Sequence, residues 1–159
     1  MDKAPHDGFT LLELLITLSI VAILLVMGVP YLRDIIQTQK IKNSISDYQM
    51  SLAYARSEAI KRSGNVDIVP SAGGWSGGWT VQAGGAVLKS MDARPDVTFS
   101  VPGGTITFQA NGRPAATVSA FNAYIADNTG VAMRCVTVGV SGMAHVKIDG
   151  DADPNNGCN

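Results

Sequence analysis

With 159 residues and a net charge of −1, the chain has room for one modest folded domain and is not basic enough to indicate nucleic-acid binding from charge alone. The charge is unevenly distributed: residues 31–63 hold six bases and three acids, whereas residues 64–159 hold five bases and seven acids. The second of these parts contains no glutamate and most of the 17 glycines. We therefore expect it to form strands and loops rather than helices.

The first element is an apolar run from Phe9 to Val29, in which Glu13 is the one ionisable side chain. Its 21 residues are enough to span a bilayer core as a helix. A lone carboxylate there costs roughly 2.5 kcal/mol or more, so Glu13 is a candidate functional residue that needs a partner. A secretory signal peptide does not fit, because the polar leader precedes the run and no A-x-A-like site follows it. A plain membrane anchor explains the length, but it explains neither Gly8 directly before Phe9 nor the carboxylate.

The stretch "GFTLLELL", which begins at Gly8, resembles the processing site of type IV pilins and type II secretion pseudopilins. The resemblance implies a prepilin leader of residues 1–8, cleaved after Gly8 by an inner-membrane prepilin peptidase. It also implies N-methylation of Phe9, the first residue of the mature chain. Glu13 would then pair with the new amine of Phe9 on a neighbouring subunit. Because one buried charge without its partner is costly, this pair would set the register of assembly.

The helix is expected to continue beyond the membrane segment, from residue 30 to residue 63. Pro30 resembles the family's helix-kinking proline, and a proline inside a helix removes one backbone donor and clashes with the preceding turn. The pattern ends at Ser63-Gly64-Asn65. Between these points apolar or small residues recur at spacings of four and three, which predicts one buried stripe on an amphipathic helix. The stripe consists of Ile41, Ile45, Tyr48, Leu52, Ala55 and Ala59.

The remainder, residues 64–159, is predicted to be a β-rich head that forms one domain with the amphipathic half of the helix. Strand-like segments are 66–69, 79–82, 97–101, 105–109, 117–121, 131–138 and 144–148. Pro102-Gly103-Gly104 predicts a hairpin between the third and fourth of these segments. A helix followed by strands indicates an α+β fold, in which the long N-terminal helix packs on an antiparallel sheet.

Further stretches resemble the H-type minor pseudopilins and the FimT/FimU minor pilins. They are "YARSEAIKRSGNV" from residue 54, "GGWSGGW" from residue 73, "FQANGRP" from residue 108 and "RCVTVGVSG" from residue 134. This resemblance covers nearly the whole chain and implies a pilin fold. Trp75 and Trp79 are expected to be core or edge aromatic residues rather than a binding platform.

Sequence motifs for catalysis or cofactor binding are absent, and we expect neither an enzyme nor a cofactor. His145 is the one histidine beyond the leader, and no G-x-S-x-G, H-E-x-x-H or phosphate-binding loop occurs. Asp149, Asp151 and Asp153 alternate as in the first half of a calcium loop, but the later glutamate is missing. A solvated acidic turn is the favoured interpretation, with a weak calcium site as the alternative.

The two cysteines, Cys135 and Cys158, are an even pair at the end of a chain that is expected to be exported, which suggests a disulfide. Closing this loop of 24 residues would stabilise the fold by about 3 kcal/mol in the chain-entropy model. Two unpaired thiols are the alternative, and a metal site is less favoured.

DNA capture is the rival function, because FimT-type minor pilins are implicated in it through a "GRxR"-like stretch near the C-terminus. The matching stretch here is "SGMAHVK", residues 141–147, in which Lys147 is the one base. Binding to phosphates needs several bases, so DNA binding is not expected unless Lys89, Arg94 or Arg113 converge in the fold.

The sequence as a whole predicts a structural minor pilin of the tip or priming complex that initiates a type IV pilus. A minor pseudopilin H of a type II secretion system is the first alternative, and a DNA-binding minor pilin is the second. The expected partners are other major and minor pilins or pseudopilins, the prepilin peptidase and inner-membrane lipid. The chain would be a single-pass inner-membrane protein before assembly and would then carry its head in a pilus or pseudopilus.

Overall fold

A computed structural model describes residues 9–100 and 104–150 of the chain. Within these two ranges, one helix, α1 (Leu11–Arg62), is followed by eight strands. The strands are β1 (Val66–Ser71), β2 (Gly74–Ala83), β3 (Ala86–Met91), β4 (Thr98–Ser100), β5 (Ile106–Phe108), β6 (Phe121–Tyr124), β7 (Arg134–Val138) and β8 (Ala144–Ile148). This order confirms the α+β class.

The strands form two antiparallel four-stranded sheets rather than the single sheet that the sequence predicted. The first sheet has the order β3-β2-β1-β5, and the second has the order β4-β6-β7-β8. The chain divides into two compact units, Met1–Ile36 and Gln37–Asn159. We call the second unit the head.

The predicted stripe of α1 is the helical side of the core. All six of its side chains are buried, with exposed fractions between 0 and 3%. They pack in one cluster with apolar residues of both sheets, so burial explains why the sequence alternates spacings of four and three. The stripe prediction is confirmed.

The C-terminal end of α1 is closed by backbone hydrogen bonds. Ser63 N–H donates to the Ile60 carbonyl, and Gly64 N–H donates to the Ala59 carbonyl. This is the pairing of a Schellman motif. Ser63 occupies the left-handed position, with φ of 51°, so the serine, rather than the glycine after it, takes the strained conformation.

An aromatic cluster lies at the centre of the core. Tyr48 stacks on Phe121 with ring centroids 3.7 Å apart, and it meets the edges of Trp75 and Trp79 at 5.5 and 5.9 Å. Trp79 Nε1 donates to Ser51 Oγ on α1 at 3.0 Å. Both tryptophans are buried, as expected for core residues.

The predicted hairpin between segments 97–101 and 105–109 is wrong. β4 pairs with β6 of the second sheet, whereas β5 pairs with β1 of the first, so the two segments belong to different sheets. Long-range packing decides this: Phe99 of β4 lies against Phe121, and Phe108 of β5 is paired with Val66. Residues 102 and 103 of the proposed turn lie outside the described residues.

Other strand boundaries also differ from the predicted ones. β3 was not predicted, although Gly84-Gly85 between two apolar segments is a hairpin signal. Segment 117–121 contributes only its last residue to a strand. In segment 131–138 the strand, β7, begins only at Arg134. Segment 144–148 has the same limits as β8.

Polar contacts fasten the loops of the head to α1. Lys40 Nζ lies 2.6 Å from Asp96 Oδ2. Arg94 pairs with Asp47, and Asn128 Nδ2 donates to Gln37 Oε1 at 2.6 Å. These three contacts hold the loops after β3 and β6 against the first turns of the head's helix.

Glu58 lies on α1 with its side chain 9% exposed, and Arg62 and Lys61 both pair with it, at 2.7 and 3.3 Å. The hydrogen bond from Arg62 holds the pKa of Glu58 below its ordinary value. A carboxylate with a lowered pKa stabilises the fold above its unfolded-state pKa. That contribution is lost as the pH falls through the folded-state pKa.

Candidate assembly site

The N-terminal end of α1 is built around Thr10 and Glu13. The Thr10 backbone N–H and the Thr10 hydroxyl both donate to Glu13 Oε2, each at 3.0 Å. In return the Glu13 N–H donates to Thr10 Oγ1 at 3.2 Å. This reciprocal arrangement is a capping box, with Thr10 as the N-cap residue of the helix.

The capping box gives Glu13 a local role that was not predicted from the sequence. The signature of a threonine followed three residues later by a glutamate was present in "TLLE". In the single chain the Glu13 carboxylate therefore stabilises the start of its own helix. Its hydrogen bonds to Thr10 hold it at the N-terminal end of α1, close in sequence to Phe9. The pairing of Glu13 with the Phe9 amine of a neighbour is not tested by this geometry and stays a prediction.

The helix that follows Glu13 exposes its apolar side chains on all sides. Within the unit up to Ile36, leucines, isoleucines and valines of α1 are 49 to 78% exposed. α1 contains a stretch that is long and apolar enough to cross a membrane, by length and composition. An apolar surface of this extent is unstable in water and indicates burial in lipid or against other helices.

Pro30 does not interrupt α1, which the structure assigns as one helix from Leu11 to Arg62. A proline in a helix interior still leaves one carbonyl without its usual donor. The bend at Pro30 stays a prediction.

Cys135 is fully buried on β7, whereas Cys158 lies outside the described residues. Cys135 sits opposite Lys147 of β8 and Asn122 of β6 in the strand register. The pairing of the two cysteines stays a prediction.

We expect a non-reducing digest of the protein to contain one peptide that joins Cys135 to Cys158. Reducing the bridge should lower the free energy of unfolding by about 3 kcal/mol, because it closes a loop of 24 residues. Thiol labelling of the unfolded, unreduced chain is the measurement. Two labelled cysteines per chain would contradict the bridge.

The acidic segment near the C-terminus is only partly described. Asp149 is 3% exposed, and its N–H donates to the Met133 carbonyl at 3.0 Å, so this residue is buried rather than part of a solvated turn. Asp151 and Asp153 lie outside the described residues. Within residues 9–100 and 104–150, no group of three or more His, Cys, Asp or Glu side chains could hold a metal ion. The weak calcium site stays a prediction.

The bases named for the DNA alternative lie on separate elements. Arg94, after β3, is paired with Asp47. Lys89 Nζ on β3 lies 5.9 Å from the centre of the Tyr54 ring. Arg113 lies in the loop after β5, and Lys147 lies on the edge strand β8.

Gly142, in the "SGMAHVK" stretch, has a structural role. Gly142 has a φ of +78°, and a side chain there would collide with the Gly112 carbonyl. Arg56 Nε donates to that same carbonyl at 3.2 Å. The two glycine turns therefore pack on each other and on α1, which explains the glycine at 142 without a ligand.

These features define a class of protein: a single apolar helix with an N-terminal carboxylate, continuing into a head of antiparallel sheets, is a pilin-like fold. Two solved structures of the type IV minor pilin FimU from Pseudomonas aeruginosa share it. One has a TM-score of 0.60 at 20% identity and covers 76% of this chain and 96% of FimU. The other has a TM-score of 0.58 at 20% identity and covers 74% and 99%. At this identity the likeness establishes the fold.

Family models identify the chain more closely. Residues 44–142 match the type II transport protein GspH, and residues 4–29 match the prokaryotic N-terminal methylation motif. The chain belongs to the GspH family, the minor pilins and pseudopilins of type IV pili or type II secretion systems. No curated protein sequence matches it significantly. The family implies contact with other pilins or pseudopilins, and the motif with its apolar helix indicates membrane anchoring and assembly.

Proposed function

We propose that the chain is a structural minor pilin of a type IV pilus, acting in the tip or priming complex that initiates assembly. It is made as a single-pass inner-membrane precursor, cleaved after Gly8 and methylated on Phe9. Its head then lies outside the membrane. The observation that carries this proposal is the exposed apolar segment of α1 up to Val29, in which Glu13, near the N-terminal end, is the one carboxylate.

In this proposal the subunit lies in the membrane before assembly and in a filament afterwards. The apolar surface of the helix is buried in the bilayer before assembly and against neighbouring helices afterwards. Because lipid tails are as apolar as leucine, the exchange needs a specific polar contact to favour the filament. A carboxylate that pairs with a newly made amine provides such a contact, and only processed chains possess that amine.

The family and fold are structural, and we propose that the chain has no catalytic activity. A type II secretion pseudopilin uses the same processing and the same helix, and the GspH family includes subunits of both systems, so it remains the second candidate. Loss of filaments, as opposed to loss of protein secretion, on deletion of the gene distinguishes the two.

Processing is the first test. In cells with an active prepilin peptidase, the mature chain should begin at an N-methylated Phe9. Intact-mass measurement of the membrane-extracted protein reads this directly, and Gly8→Glu is the matched block because a long charged side chain replaces the hydrogen at the cleavage position. A chain that keeps Met1 in the presence of the peptidase would remove the processing proposal.

DNA binding is expected to be weak. A fragment that begins near Tyr31 carries eleven bases against ten acids, a net charge of +1. Since affinity for duplex DNA rises with the number of phosphates that bases neutralise, we expect a Kd of about 10⁻⁴ M or weaker at physiological salt. A mobility-shift titration measures it. Low-micromolar binding that is lost on replacing Lys147 or Arg113 would make DNA capture the primary function.

A further inference from the structure

Strand β8 is an exposed edge of the second sheet. It pairs with β7 along one side, and among residues 9–100 and 104–150 no strand lies along its other side. The free side of an edge strand is a row of backbone N–H and C=O groups that can pair with another strand. Proteins usually protect such an edge with proline, a bulge or charged side chains. β8 has no proline and pairs with β7 without a bulge.

The strand register fixes which backbone groups of β8 are free. Gly139 N–H donates to the Met143 carbonyl at 2.9 Å, and Asp149 N–H donates to the Met133 carbonyl at 3.0 Å, so hydrogen-bonded pairs lie at both ends of the β7–β8 ladder. Bonded and non-bonded pairs alternate along an antiparallel ladder. Three residues of β8 therefore direct their N–H and C=O groups away from β7: Ala144, Val146 and Ile148.

The side chains of the same three residues lie on the face of the sheet that packs on the core. Val146 is paired with the core residue Val136, and Ala144 itself packs against the core. Val146 and Ile148 are nevertheless 37% and 57% exposed. At this edge, free backbone groups and uncovered apolar side chains therefore belong to the same residues.

A groove of about 280 Å³ lies between α1 and the start of β8. Small side chains form part of its lining, from Ala53 and Ser57 on the helix and Ala144 on the strand. Ile60 and Met143, which are about half exposed, add apolar surface. A cavity of about 150 Å³ can hold benzene, so this groove has room for aliphatic side chains. A strand added to β8 would direct every second side chain to this face.

The parts of this chain outside the described residues do not suit the groove. Residues 151–159 follow β8, but they offer only alanine, proline and cysteine as apolar side chains. Their cysteine is predicted to bond to Cys135, which lies on the opposite face of β7 from Val136. Residues 101–103 follow β4, at the other edge of the same sheet, and residues 1–8 are removed in the proposed processing. The groove therefore suits a segment of another chain.

The other face of β8 indicates what that segment carries. His145 and Lys147 are exposed there. Side chains directly opposite on neighbouring strands interact, so opposite charges favour pairing and like charges oppose it. A second β8 would bring two copies of Lys147 close together, which disfavours pairing between copies of this chain. A segment that alternates apolar residues with carboxylates matches both faces.

We propose that β8 is a docking strand to which an extended segment of a different pilin adds antiparallel, with apolar side chains in the groove beside α1 and carboxylates beside Lys147. Backbone hydrogen bonds give such a contact its affinity, and the groove gives it specificity. The inference rests on the proposed function for the source of the segment, whereas the addition of a strand depends on β8 alone.

The test uses the full chain in detergent and a capped peptide of about seven residues, in which valine and glutamate alternate. Amide hydrogen exchange followed by NMR reports on individual backbone groups. With the peptide at about ten times its Kd, the Val146 and Ile148 amides should exchange about tenfold more slowly. The amides of His145 and Lys147 already bond to β7, so their exchange should change little.

Two methylated peptides show whether backbone hydrogen bonds carry the contact. In antiparallel pairing, a peptide residue with its side chain in the groove also has its N–H facing β8. N-methylation of the valines should therefore abolish the protection, whereas N-methylation of the glutamates should leave it. Protection that survives both modifications would overturn strand addition, and so would the absence of protection at millimolar peptide.

Variants test the strand and the groove separately. Val146→Pro removes an N–H that faces away from β7, so the ladder stays intact while affinity for the peptide should fall about tenfold. Ala53→Glu places a charge in the apolar groove and should weaken binding to a similar extent. Ala86→Glu, the same change at an exposed residue of β3, should have no effect. Tryptophan fluorescence verifies that each variant is folded.

A photoreactive residue identifies the occupant in cells. With p-benzoylphenylalanine in place of Ile148, we expect a cross-link to an extended segment of another pilin, and Ala53→Glu should lower its yield severalfold. Cross-linking only to a differently tagged copy of this chain, or no cross-link, would contradict the proposal. Methylation of Phe9 and incorporation into filaments are scored in the same cells, so loss of this contact leaves the proposed function standing.

Discussion

Replacing Glu13 with alanine is expected to leave membrane insertion intact and to reduce incorporation into filaments by about a hundredfold or more. Insertion is eased because a carboxylate in the membrane costs roughly 2.5 kcal/mol. If Glu13 pairs with the Phe9 amine of the neighbouring chain as proposed, assembly should fail because that amine loses its partner, and breaking a buried ion pair costs about 3–5 kcal/mol. Quantifying the variant in the membrane fraction and in sheared filaments measures both effects.

Two further variants separate charge from helix capping. Glu13→Gln keeps an oxygen that can accept from Thr10 but removes the charge, so it should fail in assembly nearly as badly as alanine. Thr10→Val removes the capping hydroxyl and keeps the charge, so it should cost only about 1 kcal/mol of helix stability. Normal assembly of the glutamine variant would show that capping, and not charge pairing, explains Glu13.

The second large effect is expected at the aromatic cluster. Phe121→Ala should destabilise the head by about 3–5 kcal/mol, because it leaves a cavity against Tyr48, Trp75 and Phe99. Tyr48→Phe, in contrast, should not lower the stability of the head. Burial raises the pKa of Tyr48, and within residues 9–100 and 104–150 its hydroxyl has no hydrogen-bond partner. Removing that hydroxyl should therefore leave stability unchanged or raise it by about 1 kcal/mol.

Urea titration followed by tryptophan fluorescence measures both variants. Trp75 and Trp79 are the two tryptophans of the chain, and both lie in the cluster, so the signal reports its unfolding. A Tyr48→Phe variant that loses more than about 1 kcal/mol would show that the hydroxyl makes a stabilising contact.

Periodicity predicted the parts of the fold that have a strong local pattern. The continuous apolar run from Phe9 gave the length of the first part of the helix, and the six-residue stripe of α1 gave the face that is buried in the head. β8 was also predicted correctly, because its segment lies between two turn signals. In each case the residues that decide the structure are neighbours in sequence.

Strand pairing could not be predicted in the same way, because it depends on residues that are distant in sequence. Pro102-Gly103-Gly104 suggested a hairpin, but Val66 and Phe121 provide better partners for the flanking strands. The burial of Asp149 was missed for a similar reason, since its N–H bonds to Met133 rather than to a neighbour in its own turn.

The sequence predicted which residues belong to the candidate site, but it did not predict the hydrogen bonds between them. Gly8, Phe9 and Glu13 follow from a motif that the family model confirms over residues 4–29. The role of Thr10 was missed although the capping-box spacing is present in "TLLE", because the resemblance to the processing site placed the start of the helix at Phe9, whereas the helix begins at Leu11.

The central claim, that this chain is a processed filament subunit, is tested most directly by mass spectrometry of sheared and washed filaments. The account predicts a peptide that begins at N-methylated Phe9, present in filaments at a small fraction of the major subunit and absent from filaments of the Glu13→Ala strain. Recovery of the chain only in the membrane fraction of cells that assemble normal filaments, with Met1 still attached, would contradict it.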